Sequence, residues 1–444
     1  MKKLLLAGVA SFALVGVAAA ADLPAKAPML KAPPAPVYDW TGFYIGGNFS
    51  TAIAQSKAST STQLGVTELN KWGLSAAAQG GYNWQVSPNW FVGVEGEVGY
   101  LGTDRSFQQW NDPTVTVGAK TNWYGTARLR TGYVTGPSLL YVTGGAAFVG
   151  IKETFGNVNF PGNNSVTKTG WTAGAGIETK LSHNWSTSIE YLYIDAGNSS
   201  YIASPGQTAT FDHQYHLLKT AVNYKFGGPS EPLPFFGAPL LSPMRDWSGF
   251  YAGVNAGGGI GLSRVNGGPN IFGSTDLNGG GFAGGVQAGY NWMVTQKWFV
   301  GVEGDVGYLG INHSYADWND ASRTMSQKTD WYGTARGRIG TTTGPALLYM
   351  TGGGAWVRVR DGISLSSGAA DVTTRTAGGW TYGGGTEVAL DARWSAKLEY
   401  LYMDVGKSQH SVAGFDGQFK DRFQVIRAGL NYKFGGSDVV TARY

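Results

Sequence analysis

The feature that most narrows the fold is a two-residue alternation held over ten residues or more. In NWFVGVEGEVGYL, beginning at Asn89, one face carries Trp90, Val92, Val94, Val98 and Tyr100, and the other carries Glu95 and Glu97 among glycines. NWYGTARLRTGY sets Trp123, Ala127, Leu129 and Tyr133 against Thr126, Arg128 and Arg130, and GWTAGAGIETKL sets Trp171, Ala173, Ala175 and Ile177 against Glu178 and Lys180. A period of two reads as strand. A soluble sandwich also buries one apolar face, but its strands average five or six residues. Here apolar-face aromatics stand ten or twelve residues apart, as Trp72 and Trp84, Trp90 and Tyr100, Trp123 and Tyr133. Ten residues at about 3.4 Å, tilted about 40°, span roughly 26 Å, which matches the ~25 Å lipid-facing band of a transmembrane barrel between two aromatic girdles.

The pattern is written twice. DWTGFY at Asp39 returns as DWSGFY at Asp246, NWFVGVEGEVGYLG at Asn89 as KWFVGVEGDVGYLG at Lys297, IEYLYIDAG at Ile189 as LEYLYMDVG at Leu398, and VNYKFGG at Val222 as LNYKFGG at Leu430. The offset is too large for a solenoid repeat or a propeller blade, so each copy is a domain. Eight strand segments are predicted per copy, in the first near 41–50, 71–84, 90–101, 122–134, 138–150, 169–181, 185–195 and 215–226. Their connectors alternate between short turns (QVSPN, TGPS, SHN) and long polar stretches (51–70, 102–121, 151–168, 196–214), the latter expected as outer loops. Short periplasmic turns and long outer loops describe an eight-stranded antiparallel up-and-down barrel. The fold expected is therefore all-β, two tandem eight-stranded transmembrane barrels. The alternative is one sixteen-stranded barrel, which would enclose an aqueous channel. A proline-rich joint between the copies favours two barrels, because a hairpin would not need that length.

Composition agrees: 69 glycines, 13% aromatic and 14% charged residues do not describe an ordinary cytosolic enzyme, and without cysteine there is no disulfide, thiolate nucleophile or cysteine zinc site. A net charge of +4 that includes Lys2 and Lys3 gives no reason to expect nucleic acid. The expected organisation is a signal peptide over 1–20 (a basic start, an apolar run and an A-x-A site), a proline-rich lead over 21–38, the first barrel over 39–228, a proline-rich linker over 229–245, the second barrel over 246–436 and a tail over 437–444.

With DW[ST]GFY, GVEG[ED] and NYKF in both copies, the chain resembles the small outer-membrane β-barrel proteins of alphaproteobacteria, the outer-membrane immunogenic or porin family, distantly similar to OmpA-type barrels. The resemblance implies a cell outer-membrane location, with membrane lipid, lipopolysaccharide and the barrel assembly machinery as partners. Such proteins usually carry one barrel, so the duplication departs from the pattern, as does GGSDVVTARY after Phe434.

No cofactor or metal is expected and no catalytic set repeats. GGGFAG (Gly279 to Gly284) leads into a strand instead of a helix. None of the five histidines recurs at the matching place in the other copy, and FDHQYH (Phe211 to His216) reads as solvated loop. The candidate functional residues are the inward charges. Glu95, Glu97, Glu178 and Glu190 are expected to face Arg128, Arg130, Lys180, Lys219 and Lys225 in the first copy. In the second, Glu303, Asp305, Glu387 and Glu399 face Arg336, Arg338, Arg427 and Lys433. One antiparallel register would set Glu95 opposite Arg130 and Glu97 opposite Arg128, with Glu303 opposite Arg338 and Asp305 opposite Arg336. Aromatic girdles are assigned to Trp84, Trp90, Tyr100, Trp123 and Trp171, and to Trp292, Trp298, Tyr308, Trp331 and Trp380. Two functions fit: a structural, surface-exposed envelope protein with a filled lumen, or a porin passing small solutes.

Overall fold

The computed structural model of the chain describes residues 38–435 apart from 62–65, 70, 109–114, 157–161, 205, 228–244, 268–273, 278, 317–322 and 343–345. The expected signal peptide, nearly all of the lead and linker, and the tail lie outside the described residues.

The strands of the first copy are β1 (Gly42–Thr60), β2 (Val66–Glu68), β3 (Lys71–Ser87), β4 (Trp90–Gln108), β5 (Thr116–Thr135), β6 (Ser138–Gly156), β7 (Asn163–Lys180), β8 (Trp185–Ser204) and β9 (Gln207–Lys225). Those of the second are β10 (Gly249–Gly261), β11 (Ser263–Gly267), β12 (Ser274–Leu277), β13 (Gly280–Met293), β14 (Trp298–Leu309), β15 (Asn312–Ala316), β16 (Arg323–Thr342), β17 (Ala346–Leu365), β18 (Ala370–Ala389), β19 (Trp394–Val412) and β20 (Phe415–Lys433). Each copy forms its own sheet of sequential antiparallel neighbours. In the first, β9 returns to β1 from Tyr44↔Lys225 to Thr60↔Ala209, closing eight strands with β2 as a short addition on β1. In the second, β20 returns to β10 from Tyr251↔Lys433 to Gly261↔Phe423, closing a ring of eight. Among the described residues no strand is shared between the sheets, so the sixteen-stranded alternative is set aside. Ring closure leaves neither copy with an unpaired edge.

The strands run farther than the sequence suggests. The stretches expected as long loops are largely strand, which carries β4 to Gln108 and starts β5 at Thr116. The reason is a change of face. Below the outer aromatics, Val92, Val94, Val98 and Tyr100 point outward and are exposed, while Glu95 and Glu97 are buried inside. Above them, Leu101, Val117, Ile151, Phe155 and Phe211 are buried inside, while Asp104, Lys120 and Lys152 are exposed. β-Bulges mark the boundary: Tyr100/Thr103 between β4 and β5, Thr121/Trp123 between β5 and β6, Asp195/Gly197 between β8 and β9, Thr329/Tyr332 between β16 and β17, and Asp404/Lys407 between β19 and β20. An extra residue on one strand lets the inward face pass from polar to apolar without breaking the sheet. The lower half is thus apolar outside and polar inside, and the upper half is built as a water-soluble barrel.

Candidate functional site

The interior is stacked in layers. In the first barrel, Trp40, Phe91, Val134, Leu139 and Tyr141 cluster at the end where β5 turns into β6. A charged layer follows, then an apolar layer that includes Leu101, Tyr124, Val149, Leu192, Ile194 and Tyr215. Next come Ser56, His213 and Glu153, and last an apolar cluster that includes Val117, Phe155 and Phe211. The second barrel repeats the order with Trp247, Phe299, Leu347 and Tyr349 at the base and a cluster that includes Val265, Met325, Ile363 and Phe419 at the top.

The charged layer follows from the inward period of β4, β5, β7, β8 and β9. Arg128 Nη2 donates to Glu97 Oε2 at 3.0 Å and Nη1 to Glu190 Oε1 at 2.6 Å, and the same guanidinium bonds Glu95. Arg130 reaches Glu95 Oε2 at 3.2 Å and Glu178 Oε2 at 2.8 Å. Lys219 Nζ donates to Glu97 Oε2 at 2.6 Å and Glu190 Oε1 at 3.0 Å. Neutral donors fill the remaining lone pairs: Tyr44 Oη to Glu95 at 2.7 Å, Tyr141 Oη to Glu190 at 2.9 Å, Asn48 to Glu97 at 2.9 Å and Asn223 to Glu178 at 2.9 Å. The second barrel rebuilds this layer. Arg336 binds Asp305 at 2.7 Å and Glu399 at 3.0 Å, and also Glu303; Arg338 binds Glu303 at 3.2 Å and Glu387 at 3.0 Å. Arg427 Nη2 lies 2.6 Å from Glu399 Oε2 and 3.1 Å from Asp305 Oδ2. All of these charges are buried. Charges taken from water persist only where partners and hydrogen bonds repay the desolvation, and here every carboxylate has several. The guanidinium carbons of Arg130 and Arg338 also sit 4.1 and 4.0 Å from the ring centroids of Tyr141 and Tyr349.

Inward glycines make room for those phenols. A Cβ on Gly81 would lie 2.6 Å from the Tyr44 hydroxyl, and one on Gly176 would lie 2.6 Å from the Tyr141 hydroxyl; Gly289 and Gly385 stand in the same relation to Tyr251 and Tyr349. The glycine-rich inner face is what lets the tyrosines reach across.

Three expectations are corrected. The register is two residues off the expected one: Glu95 lies opposite Arg128, Glu97 opposite Thr126 and Gly93 opposite Arg130, with Glu303 opposite Arg336 and Asp305 opposite Thr334. The long arginines span the difference, so the expected pairs share a layer without all being direct neighbours. Lys180, Lys225 and Lys433 stay outside the network. Lys180 and Lys225 donate to the Asp39 carbonyl at 2.9 and 2.8 Å, and Lys433 to that of Asp246 at 2.6 Å, because these residues end their strands at the barrel mouth. His213 is buried in β9, its Nδ1 2.8 Å from Ser56 Oγ and its Nε2 2.8 Å from Glu153 Oε1. Serine, histidine and a carboxylate in line resemble an acyl-transfer set, but here all three are enclosed between apolar layers. The second copy puts Asp421 in the place of His213, bonded to Ser263 and Gln327.

Sequence reasoning missed Lys397, whose Nζ lies 3.0 Å from Glu303 Oε1 and 3.6 Å from Glu399 Oε2, and it missed the tyrosines. The signal for Lys397 was its place two residues before Glu399 on the inward face of β19. Of the residues expected in the girdles, Trp84, Trp90, Tyr100, Trp123, Trp171, Trp292, Trp298, Tyr308 and Trp380 are exposed on the outer face, and Trp331 is half-buried.

The upper polar layer lies above the outer aromatics, and its titration differs between copies. Burial would raise Glu153, but hydrogen bonds from His213, Ser199 and Asn164 hold it below the usual carboxylate range. Burial, then the facing Asp361 carboxylate, pushes Asp421 up to about 7. Asp361, 3.4 Å from His410 Nε2, raises that imidazole against the effect of burial. Among the described residues, no group of three or more His, Cys, Asp or Glu is arranged to hold a metal, and no helix is long and apolar enough to cross a membrane.

The 31 kDa outer-membrane immunogenic protein of Brucella melitensis is 36% identical over 214 residues, which cover 44% of this chain and 88% of that protein. The 25 kDa outer-membrane immunogenic protein of Brucella abortus is 32% identical over 228 residues, covering 51% of this chain and 99% of that one. The 22 kDa outer membrane protein of Rhizobium leguminosarum is 31% identical over 198 residues, covering 44% and 82%. Among solved structures, Neisserial surface protein A shares 16% identity at a TM-score of 0.26 over 42% of this chain and 98% of its own, too little to bear on function. The outer membrane protein beta-barrel domain matches residues 7–226 and again 233–434, and with both closed rings and their outward aromatics in view, the chain belongs to that outer-membrane family, in duplicate.

Proposed function

We propose that the protein is a structural, surface-exposed component of the outer membrane, two filled barrels that contribute to envelope integrity and carry their outer connections into the medium. The observation that carries this reading is the charged layer in each barrel, buried between apolar layers above and below. An ion crossing such an interior would have to displace paired charges and then pass through packed hydrocarbon. The relatives named immunogenic support exposure of the outer ends at the cell surface. The barrel assembly machinery is the partner expected for insertion. Conductance in planar bilayers tests the reading: the full chain is expected to give no steady current, and a steady current with solute selectivity would make it a porin.

A further inference from the structure

Above the outer aromatics the two copies differ in charge on their outward faces. In the second, Lys328 lies directly opposite Arg360, and Arg358 points outward between Arg360 and Trp356. Farther round the ring, Lys407, Lys420 and Arg264 form one row across β19, β20 and β11. Like charges directly opposite each other destabilise a sheet. The first copy also sets Lys120 opposite Lys152, but each of its rows contains an acid. Asp104 stands opposite Lys120, with 3.3 Å between their charged atoms, and the second row reads Asn198, Asp212, Lys57. In the second copy Asn312 replaces that aspartate opposite Lys328, and Lys420 takes the place of Asp212. The neighbouring acids compensate weakly. Asp330 lies 3.9 Å from Lys328 and 4.0 Å from Arg358, and Asp404 lies 3.9 Å from Lys420 and 3.7 Å from Arg422, all longer than a charge-assisted hydrogen bond. On its other side β11 pairs with β12, Arg264 in register with position 276.

Height identifies the partner. Arg360 follows Trp356 by four residues on the same outward row, about 14 Å along the strand and roughly 10 Å above the ring after tilt. A headgroup zone extends about 5–8 Å beyond each side of the hydrocarbon core, within reach of long cationic side chains folded back toward the rim. Lys328 and Arg358 are about half exposed, at 54% and 51%.

We propose that this rim of the second barrel binds the phosphorylated head groups of outer-leaflet glycolipid, the phosphates bridging the like-charged rows and the arginines engaging them bidentately. The first barrel keeps the Lys120–Lys152 pair but answers it with Asp104, carries Asp212 where the second has Lys420, and has Gly150 and Asn198 in place of Arg358 and Lys407, so most of the surface is missing there. The proposal goes beyond the structural role and rests on the long connections facing outward. Its test uses the full chain folded into phosphatidylcholine vesicles alone, with bisphosphorylated lipid A, or with the same lipid A stripped of phosphate. The readout is the temperature at which the SDS-resistant form is lost. Phosphorylated lipid A is expected to raise that temperature by several degrees. K328Q/R358Q/R360Q should lose most of the rise, and K120Q/K152Q in the first barrel should keep it. K407N/K420D, which installs the first copy's own residues, should also diminish it, and so guards against a variant that simply folds badly. An equal rise with phosphate-free lipid A, or a full rise in both second-barrel variants, overturns the proposal. Folding in plain phosphatidylcholine vesicles reports on the barrel reading separately.

Discussion

Removing the Arg128 guanidinium is the most direct trial of the charged layer. Arg128→Met keeps most of the volume but leaves Glu95, Glu97 and Glu190 each short of one partner. Three charge-assisted bonds at about 1.5–3 kcal/mol each would overstate the loss, because such terms do not add within one network. Each carboxylate is still held: Glu95 by Arg130 at 3.2 Å, Glu97 by Lys219 at 2.6 Å, and Glu190 by Lys219 at 3.0 Å and Tyr141 at 2.9 Å. The expected cost is therefore about 3 kcal/mol, the lower end of the ~3–5 kcal/mol for stranding one partner of a buried pair. Glu95→Gln added to Arg128→Met removes one of the stranded charges and should recover at least about 1 kcal/mol, a coupling typical of side chains in one network. Urea unfolding of the refolded protein in vesicles, followed by tryptophan fluorescence, measures both quantities. A single-variant cost under about 1 kcal/mol with no coupling would mean that water enters the layer and solvates the carboxylates, and the filled interior would have to be given up.

Residues 37–228 alone are expected to fold to a heat-modifiable species in detergent, since β9 already pairs with β1; a half that never acquires SDS resistance refutes this. Gly81→Val puts carbon where the Tyr44 hydroxyl lies and should cost about 1–3 kcal/mol by overpacking, seen as a lower unfolding midpoint, with Gly81→Ala less severe. The raised Asp421 and His410 contribute stability that is present at low pH and fades as pH rises through their folded values, about 7 for Asp421; the lowered Glu153 contributes stability lost only as pH falls below its ordinary range. Hydrogen-exchange protection, taken relative to the intrinsic rate at each pH, should accordingly be greater at pH 5.5 than at pH 8 in the upper parts of β17 and β20, and nearly unchanged in β6 and β9. An epitope inserted between β4 and β5 should bind antibody on intact cells, whereas binding only after permeabilisation would reverse the topology.

Strand identity, the duplication and the sign of each inward residue were legible because lipid enforces a strict alternation in the lower half of each barrel. Register was misread from the charges. Flexible arginines satisfy carboxylates over several neighbouring positions, so they tolerate more than one register. The better guide was the rigid girdle: Trp90 pairs with Tyr133, their ring centroids 6.0 Å apart, and Tyr100 pairs with Trp123. The upper halves were hidden for another reason. In β5 two outward residues, Asn122 and Trp123, follow each other, so the inward face passes from the even residues Tyr124, Thr126 and Arg128 to the odd residues Val117, Ala119 and Thr121, and a reading that keeps one face inward throughout takes the upper part for a polar loop. Lys397 and the inward tyrosines are harder to read because Lys397 stands where the first copy has Ser188, and the phenols are neutral.

The change of face at the bulges has a consequence for what approaches the cell. From Trp123 to the start of β5 at Thr116 is seven residues, so the strand tops stand roughly 18 Å above the outer aromatic ring once tilt is included. At physiological ionic strength electrostatic influence decays over about 8 Å. The connections between strands are therefore mounted more than two screening lengths above the ring. An antibody or receptor that contacts them sits roughly 10 Å, about one screening length, above the head-group charges, and so meets the protein's own charges with those of the lipid beneath weakened.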